Sequence, residues 1–474
     1  MPLILPGNVA SATASTTFSV DNSCRYNDDD TPRLHIASLG TATDVDKWTF
    51  SCWFKRSTLS SSQYLLYAYT SGEEGAILLN SSDCLDWYNY PGSSQGQLIT
   101  NRKFRDVGAW YHLVCAHDSD NGTAGNRMRI YINGTEETSF STDTNPTLDE
   151  NTVINRDLAH NIGLKYSDAI QNNFDGYLAE VCFIDGQQLT PSSFGEFDED
   201  SPTIWKPIDI SELTFGDNGF YFPFSDSADL GADSSGNSND FTSTNLAATD
   251  QASDSPTNNF CTMNPLDNYY GAGTFSEGNL KIVTLSSDYT YYTGTIGLTA
   301  GLWYFEAKLT ATADDNQVHV GIAGRVTENS QHELGHYNDT YAYYSADGDS
   351  RTNDGDTSYG DGFDTGDILG VYIDLNANKL YFAKNGVVQN SGTGISITAP
   401  ASVTSGAYFP AVGDWANQSA TWEVNFGNPS YTGTDKDDKN GYGSFEYDPS
   451  VGTFDSASKD FLAICTKNLG SDGG

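Results

Sequence analysis

The chain alternates apolar and polar residues between Gly366 and Val387, and this alternation constrains its fold more than any other feature. Apolar side chains occupy every second position over the first part of the segment, at Leu369, Val371, Ile373 and Leu375. Because successive side chains of a strand point to opposite faces, a period of two gathers these residues on one face, which must be buried. The dipeptide Asn385-Gly386 supplies the positive φ angles that a two-residue hairpin turn requires. The segment is therefore predicted to be an antiparallel meander.

The same alternation recurs along both halves of the chain, between loops rich in Asp, Gly, Asn and Ser. In the second half it covers residues 303–309, 318–322 and 422–426. In the first half it covers residues 48–54, 64–67, 110–115, 128–134 and 174–186. A chain of 474 residues is too long for one ordinary core. We predict an all-β protein of two antiparallel β-sandwich domains in tandem.

Shifts in composition set the predicted domain boundaries. The predicted segments are an N-terminal arm (1–21), a first sandwich (22–224), a polar loop and linker (225–259), a second sandwich (260–427) and a C-terminal segment (428–474). The linker is assigned because its residues are mostly Gly, Asn, Ser and Asp, with few aliphatic side chains. The apolar stretch at 461–469 is expected to pair back onto a sheet or onto a partner.

The charge of the chain limits its partners. Lys and Arg number 23 against 63 Asp and Glu, which gives a formal net charge of -40. Such a surface repels phosphate backbones and anionic lipids, so neither nucleic acid nor membrane insertion is predicted. The chain also has no apolar run of about 18 residues, and its first residues, MPLILPGNVASA, lack the basic region of a signal peptide. The acidic excess is interpreted as a solubility feature, with divalent-cation binding as the alternative.

Seven cysteines are scattered singly along the chain, with no C-x-x-C pair. They are Cys24, Cys52, Cys84, Cys115, Cys182, Cys261 and Cys465. An odd, dispersed set is typical of buried thiols, not of a disulfide framework or a zinc cluster.

Residues 332–336 read HELGH, a literal match to the H-E-x-x-H of zinc peptidases. In those enzymes the motif lies on a helix, so both imidazoles reach the metal while the Glu activates water. Here the pentapeptide contains Gly335 and has polar neighbours, and neither His nor Glu follows before Glu423 to supply a third ligand. We predict a loop and no peptidase site.

A second enzyme class, the glycoside hydrolases, needs two carboxylates on one strand face. The nearest candidate is EFDED at residues 196–200, which lacks the final Glu of the usual pattern and precedes Pro202. It is interpreted as a solvated acidic turn. With no nucleophile arrangement legible either, we predict that the chain is not an enzyme.

Two binding signals remain. Residues 347–367 hold seven Asp, and hard carboxylate oxygens are the ligands that Ca²⁺ prefers. The candidate calcium ligands are Asp347, Asp349, Asp354 and Asp356, with a merely hydrated loop as the alternative. Aromatic residues beside polar turns suit the stacking of sugars, and the candidate ligand-binding residues are Trp87, Tyr88, Tyr90, Tyr341, Tyr343 and Tyr344. Core packing is the alternative for most of these rings.

Motifs in both halves resemble known families. The sequences W-Y-H-L-V at 110–114, R-I-Y-I-N-G at 129–134 and F-D-G-Y-L-A-E-V at 174–181 resemble the LamG-like, concanavalin-type jelly roll. The second half resembles a SPRY domain through four separated motifs in the right order: G-L-W-Y-F-E with V-G-I-A, the meander at 366–386, Y-F-P-A-V at 408–412 and V-N-F-G at 424–427. The SPRY resemblance implies a bent antiparallel sandwich that binds protein segments through its loops.

The whole arrangement resembles structural proteins of tailed bacteriophages, especially marine ones. The opening MPLILPGNVASA, the sequence DSSGN at 233–237 and the terminal CTKNL at 465–469 add to this resemblance. It implies a virion protein, made in the host cytoplasm, whose partners are other virion proteins and a host-surface glycan or protein. A homo-oligomer, such as a trimer, is implied by resemblance to phage fibres.

The leading hypothesis is a non-enzymatic virion surface protein, such as a tail fibre, that recognises the host. A capsid or tail decoration protein that stabilises the particle is one alternative. A glycan depolymerase is the other.

Overall fold

The computed structural model describes residues 18–92, 96–166, 170–199, 201–268, 271–285, 289–312, 317–326, 332–415 and 419–472. Nearly all its regular structure is strand, and the large sheets are antiparallel apart from one short parallel pair. The predicted all-β class of antiparallel sandwiches is therefore confirmed. The chain divides into two compact units after Thr257.

Among the described residues, the first unit contains twenty strands. In chain order they are β1 (Ser23–Tyr26), β2 (Arg33–Ile36), β3 (Lys47–Arg56), β4 (Gln63–Thr70), β5 (Glu73–Leu79), β6 (Cys84–Tyr90), β7 (Gly96–Lys103), β8 (Tyr111–Asp118), β9 (Met128–Ile132), β10 (Thr135–Glu136), β11 (Phe140–Thr144), β12 (Ala159–Ile162), β13 (Lys165–Tyr166), β14 (Ile170–Gln171), β15 (Gly176–Asp185), β16 (Gly195–Phe197), β17 (Trp205–Pro207), β18 (Phe220–Phe222), β19 (Thr242–Thr244) and β20 (Gln251–Ala252). Short 3-10 helices lie at Asp28–Asp30, Ala124–Asn126, Pro191–Ser193 and Ala248–Asp250.

Two eight-stranded sheets form the first sandwich. One has the order β10-β9-β8-β3-β15-β1-β20 with β18 beside β15, and the other has the order β11-β7-β6-β5-β4-β12-β2-β19. Their inner faces meet in one apolar core, to which β3 contributes every second residue: Trp48, Phe50, Cys52 and Phe54. The period of two thus builds the core, as the alternation predicts.

Residues 225–257, which fall in the predicted loop and linker, also belong to this sandwich. β19 pairs with β2 and β20 pairs with β1, so the segment adds an edge strand to each sheet. Phe241 anchors it, because this ring is buried against Phe220 and Phe222. The average composition of a polar stretch does not reveal a single buried aromatic residue such as Phe241.

The sequence DSSGN in this segment holds its loop in place through hydrogen bonds. The Asp233 carboxylate accepts hydrogen bonds from the backbone N–H groups of Tyr221 (2.9 Å), Ser235 (2.8 Å) and Asn239 (2.9 Å). Asn237 donates to the carbonyl oxygens of Gly216 (2.6 Å) and Gly219 (2.9 Å). These bonds fasten the loop to the turn that precedes β18.

In the described part of the second unit there are eighteen strands and one α-helix. They are β21 (Met263–Asn268), β22 (Thr274–Ser276), β23 (Lys281–Val283), β24 (Thr290–Gly294), β25 (Leu302–Thr312), β26 (Val318–Ala323), β27 (Thr340–Tyr344), β28 (Asp349–Thr352), β29 (Gly355–Ser358), β30 (Ile368–Asp374), β31 (Lys379–Lys384), β32 (Val387–Val388), β33 (Ile395–Ser396), β34 (Phe409–Asp414), β35 (Ala420–Asn425), β36 (Lys436–Asp437), β37 (Ser444–Phe445), β38 (Leu462–Ala463) and α1 (Thr466–Asp472). Short 3-10 helices lie at Asn390–Gly392 and Pro400–Ser402.

A seven-stranded and a nine-stranded sheet form the second sandwich. The first has the order β21-β24-β34-β26-β27-β28-β29, and the second the order β22-β23-β35-β25-β30-β31-β32, with β33 beside β31 and β38 beside β25. The predicted meander is β30-β31-β32, and Asn385 (φ 49°) and Gly386 (φ 77°) form the turn between its last two strands. The side chains of Leu369, Val371 and Ile373 lie in the core, as the alternation predicts.

The C-terminal segment returns to this sandwich. Leu462 and Ala463 pair in parallel with β25, and Phe461 and Cys465 are buried. A further carboxylate, that of Glu306 on β25, accepts backbone hydrogen bonds from Glu446 (3.0 Å) and Tyr447 (2.8 Å). The apolar stretch thus pairs back onto a sheet, which is the first of the two expectations for it.

The predicted buried thiols are confirmed, because all seven cysteines are free and buried. Within the described ranges, α1 and the 3-10 segments are all too short or too polar to cross a membrane.

Candidate functional site

The outer face of the first sandwich carries a patch of tyrosines on β4 and β6, the two strands that flank β5. We call Tyr64, Tyr67, Tyr69, Tyr88 and Tyr90 the tyrosine face. The strand register brings them together, because Tyr67 and Tyr88 both pair with Ala76, and Tyr69 and Tyr90 both pair with Glu74. The rings of Tyr88 and Tyr90 stack with their centroids 4.7 Å apart. Tyr69 and Tyr90 are half-buried and present the accessible part of the face.

Polar groups line the tyrosine face. Gln97 donates to Asp86 (2.9 Å) and accepts from the Tyr90 hydroxyl (3.3 Å). On the other side Lys165 contacts Glu74 (2.9 Å), and its ammonium lies 5.4 Å from the centroid of the Tyr67 ring. Aromatic rings with amide and carboxylate neighbours can stack on a sugar and read its hydroxyl groups.

Trp87 does not belong to this face. Its exposed fraction is 0%, and its ring packs edge-on against Trp48 at 5.3 Å in the core between the sheets. The prediction that Trp87 binds a ligand together with Tyr88 and Tyr90 is therefore corrected. Neighbours in sequence point to opposite faces of a strand, so a run of adjacent aromatic residues cannot form one platform.

The same correction applies on β27. Tyr341 and Tyr343 point into the core, where Tyr343 has an exposed fraction of 0% and stacks on Phe382 at 5.0 Å. Tyr344 points outward and is half-buried. Of these three predicted residues, only Tyr344 lies on the outer face.

An aromatic stack surrounds Tyr344 on the outer face of the seven-stranded sheet. The ring of His319 lies 4.9 Å from that of Tyr344 and 6.2 Å from that of Trp415, and Tyr289 contacts Trp415 edge-on at 5.3 Å. His319 is fully buried, and neither ring nitrogen has a hydrogen-bond partner within the described ranges. Burial lowers the pKa of His319 to about 3, with a further contribution from the charge of Arg351, so the ring is neutral.

The HELGH sequence at 332–336 is not helical. It forms a turn with Gly335 at φ 97°, as the sequence predicts for a loop. The hydroxyl of Thr340 accepts from the backbone N–H groups of Gly335 and Tyr337, both at 3.1 Å. The two imidazoles stack face to face, with centroids 3.5 Å apart and planes within 4°. This geometry differs from the helical arrangement that a zinc peptidase uses.

The four predicted calcium ligands are spread along the hairpin of β28 and β29, where each carboxylate has its own neighbours. Asp354 contacts His336 (2.7 Å), Asp356 contacts Arg351 (2.9 Å), and Asp347 accepts from the backbone N–H of Asp349 (3.1 Å). Among the described residues, the four carboxylates do not form a group whose ligand atoms all lie within 4.8 Å of one another. The predicted set is corrected in this respect, because pairing of the two strands directs the side chains to different neighbours.

Arg351 holds the turn and the hairpin together. Its guanidinium contacts Glu333 (2.7 Å), Asp354 (3.8 Å) and Asp356 (2.9 Å), and lies 5.0 Å from the ring of Trp415. The outer face of this sandwich therefore combines a half-buried aromatic stack with a network of charged groups.

The acidic sequence at 196–200 lies partly on β16. Glu196 and Asp198 both contact Lys206 on the paired strand β17, at 3.3 and 3.6 Å. Glu196 is exposed and Asp198 is buried, so one cation contacts two carboxylates in different surroundings and offsets one of their two charges. Asp200 lies outside the described residues.

A buried contact between Ser51 and His112 resembles part of a catalytic triad. Trp205 donates to Nδ1 of His112 (2.9 Å), so the ring hydrogen lies on Nε2 and points to the Ser51 hydroxyl (2.9 Å). Burial also lowers the pKa of His112 to about 3. The histidine therefore donates to Ser51 and does not take its proton, which general-base activation would require.

The site residues that sequence reasoning missed are Tyr64, Tyr67, Tyr69, His319, Arg351 and Trp415. The alternation Tyr67-Ala68-Tyr69, read beside Tyr88-Asn89-Tyr90, was a usable signal for the tyrosine face. No local pattern marks His319 or Arg351, because strand pairing alone brings them to Tyr344.

Two parts of the chain match known families. Residues 28–192 match the concanavalin A-like lectin/glucanases superfamily, and residues 302–429 match the SPRY domain. The chain is 31% identical to Ran-binding protein 10 of Danio rerio over 87 residues, which are 18% of this chain and 14% of that protein. It is 32% identical to the E3 ubiquitin-protein ligase RKP of Arabidopsis thaliana over 130 residues, which are 27% of this chain and 9% of that protein.

Among solved structures, the SPRY domain of human HERC1 is 18% identical, with a TM-score of 0.28, covering 34% of this chain and 96% of that one. By contrast, the chain spans only a small part of the Ran-binding protein and of the E3 ubiquitin-protein ligase named above. A concanavalin-like domain and a SPRY domain follow one another in this chain.

Proposed function

We propose that the chain is a non-enzymatic virion surface protein of a bacteriophage, such as a tail fibre, whose two sandwiches recognise a glycan or a protein on the host surface. It is made in the host cytoplasm and carried in the particle together with other virion proteins. The observation that carries the binding role is the tyrosine face, where half-buried rings stand beside paired amide and carboxylate groups.

The first sandwich is suited to a glycan. Tyr69 and Tyr90 offer partly accessible rings, and Gln97 and Asp86 offer hydrogen-bonding groups next to them. The similarity of this region to concanavalin A-like lectins supports the same ligand class.

The second sandwich is suited to a protein segment. Tyr344 and Trp415 are half-buried beside Arg351, and aromatic residues with arginine are typical of protein interfaces. The names of the Ran-binding proteins, which are similar to this chain over 87 residues, state that those proteins bind Ran. This supports a protein partner and leaves its identity to the test.

The phage context is supported by the resemblance of the opening sequence, DSSGN and CTKNL to tailed-phage structural proteins. A homo-oligomer fits this role, because several weak sites on one particle bind with a higher overall affinity.

A non-enzymatic role is supported by the geometry of two of the three catalytic candidates. His112 donates to Ser51, and the HELGH turn departs from the helix that a peptidase needs.

Two experiments on the full chain test the proposal. Antibodies against the purified protein should label intact virions, and the purified protein should adsorb to host cells. The double variant Tyr69→Ala/Tyr90→Ala should reduce adsorption about tenfold or more, since stacking on a sugar is lost. Tyr442→Ala is the matched control, because this exposed tyrosine lies in the other sandwich.

A protein that is absent from virions and does not adsorb to host cells would rule the proposal out. Labelled virions combined with unchanged adsorption of the double variant would instead favour a decoration protein.

A further inference from the structure

Three side chains from two separated parts of the chain converge in the second sandwich. They are Glu333 and His336 of the HELGH turn, and Asp354 at the tip of the β28–β29 hairpin. One ligand atom from each lies within 4.8 Å of the other two. We infer that Glu333, His336 and Asp354 form a binding site for a borderline divalent cation, for which Zn²⁺ is the probe.

The turn that presents Glu333 and His336 is held in place before any cation binds. Gly335 has a φ of 97°, and a Cβ at this position would lie 2.9 Å from the Arg351 side chain and 3.0 Å from its carbonyl oxygen. Only glycine lets the turn approach the hairpin this closely. The Thr340 hydroxyl accepts from the backbone on either side of His336, at Gly335 and Tyr337. The site is therefore preorganised, which lowers the entropic cost of binding.

The hairpin is joined to the turn at two further points. The backbone N–H of Asp354 donates to the carbonyl oxygen of Gly335 (3.2 Å), and that of Asn353 donates to the carbonyl oxygen of Tyr337 (3.2 Å). Asp354 is thus fixed by its main chain although its side chain is exposed. Its main chain therefore holds the carboxylate beside Glu333 and His336.

The ligand atoms determine which cation fits. An imidazole nitrogen with two carboxylate oxygens is a donor set that Zn²⁺ accepts, whereas Ca²⁺ prefers six to eight oxygen ligands. Three protein ligands around a tetrahedral ion leave one position for water or for an oxygen of a bound ligand. Glu333 acts here as a ligand, and His332 stacks on His336 without joining the group.

The charge balance also favours a divalent ion. Arg351 lies among three carboxylates, those of Glu333, Asp354 and Asp356. The guanidinium and the three carboxylates together carry two negative charges, which one divalent cation neutralises. A bound cation would replace the guanidinium of Arg351 as the partner of Glu333. Arg351 would stay anchored, because its other guanidinium nitrogen contacts Asp356 and the guanidinium lies beside the ring of Trp415.

Isothermal titration of the full, untagged chain with zinc chloride, after dialysis against a chelator, tests the inference. We expect one saturable site, weakened about tenfold or more in His336→Ala and in Asp354→Asn. Asp347→Asn is the matched control, since it removes a charge from the same loop outside the group and should leave the affinity unchanged. Excess Ca²⁺ should not compete.

Asp354 is exposed, so Asp354→Asn keeps the test valid even where His336→Ala fails to fold, and circular dichroism checks both variants. The inference is overturned by the lack of saturable binding up to about 100 μM Zn²⁺. It is equally overturned by Asp354→Asn binding Zn²⁺ as tightly as the unchanged chain.

Discussion

The outer faces of the two sandwiches start from the same strand alternation and arrive at different chemistry. On the first, five tyrosines form the face, and its cation, Lys165, contacts the rings of Tyr64 and Tyr67 and the carboxylate of Glu74. On the second, Arg351 joins three carboxylates beside a stack of His319, Tyr344 and Trp415. A mostly aromatic face suits a neutral ligand such as a sugar, whereas a charged network suits an ion or a polar peptide. A shared architecture therefore does not fix the ligand class, which depends on the residues at the outward positions.

Inward and outward neighbours should differ most in their effect on stability. Trp87→Ala and Tyr343→Ala should each lower the free energy of unfolding by about 3–5 kcal/mol, because each removes a fully buried ring. Their outward counterparts, Tyr90→Ala and Tyr344→Ala, should cost about 1 kcal/mol. Denaturant unfolding measures all four. Equal losses within either pair would contradict the assignment of inner and outer faces.

In each sandwich a buried carboxylate holds loops to strands, and its removal should have the next largest effect on stability. Glu306→Ala should cost about 3 kcal/mol, because the N–H groups of Glu446 and Tyr447 lose their acceptor. In the first sandwich, Asp185→Ala should cost a similar amount, since Asp185 accepts from the N–H groups of Thr43 (2.6 Å) and Asn218 (3.1 Å).

Hydrogen exchange localises these losses. Faster exchange is expected at residues 446–447 in the first variant and at 43 and 218 in the second. Glu306→Gln keeps one acceptor oxygen and should lose less stability than Glu306→Ala. Unchanged exchange at 446–447 would show that Glu306 does not hold the C-terminal segment.

The pH dependence of stability should be similar in the two sandwiches. Burial raises the pKa of Glu180 in the first to about 7, and that of Asp414 in the second to about 7. The folded chain therefore binds these protons more tightly than the unfolded chain, so the free energy of unfolding falls as the pH rises towards 7. Each group should contribute a loss of about 2 kcal/mol between about pH 5 and about pH 7.

Glu180→Gln and Asp414→Asn test this dependence by difference from the unchanged chain. Glu180→Gln keeps the acceptor for the Tyr221 hydroxyl, which lies 2.6 Å from the carboxylate, and Asp414→Asn keeps an oxygen for Thr284 and Thr290. Each variant should lose less stability over this pH range. An unchanged slope in either variant would assign the dependence to other carboxylates.

Replacing Arg351 or Lys165 should cause the smallest losses in the free energy of unfolding, and the two losses should differ. Arg351→Ala should cost about 2 kcal/mol, because it leaves the buried carboxylate of Glu333 without its guanidinium. Lys165→Ala should cost about 1 kcal/mol or less, since it removes a partly exposed ion pair and a contact with the Tyr67 ring. Arg351→Lys should recover only part of the loss, because lysine lacks the planar fork. Equal losses of stability in the two alanine variants would contradict the proposed difference between the two outer faces.

Local sequence features were enough to predict the all-β class, the meander with its Asn385-Gly386 turn, and the burial of the cysteines. These features depend on local chemistry: strand periodicity, a positive φ at a turn, and the apolar character of a thiol. The resemblance to two sandwich families added the order of the domains along the chain.

The candidate sites were predictable only in part. Tyr90 and Tyr344 lie on outer faces, but Trp87 and Tyr343 lie in the cores. A period of two predicts that neighbouring side chains face opposite sides of the sheet. Which of the two sets of side chains faces the core depends on the sheet that packs against the strand. Phe241 was missed for a related reason, since one buried ring fixes a segment that is polar on average.

By itself, the sequence determined that strands form, where several of them turn, and which residues alternate. Only the tertiary structure decided that His336 meets Asp354, that Arg351 also contacts Asp354, and that His319 stacks on Tyr344. The physical reason is that alternation is a property of one strand, whereas these contacts depend on strand pairing and on the approach of a turn to a hairpin 18 residues further along the chain.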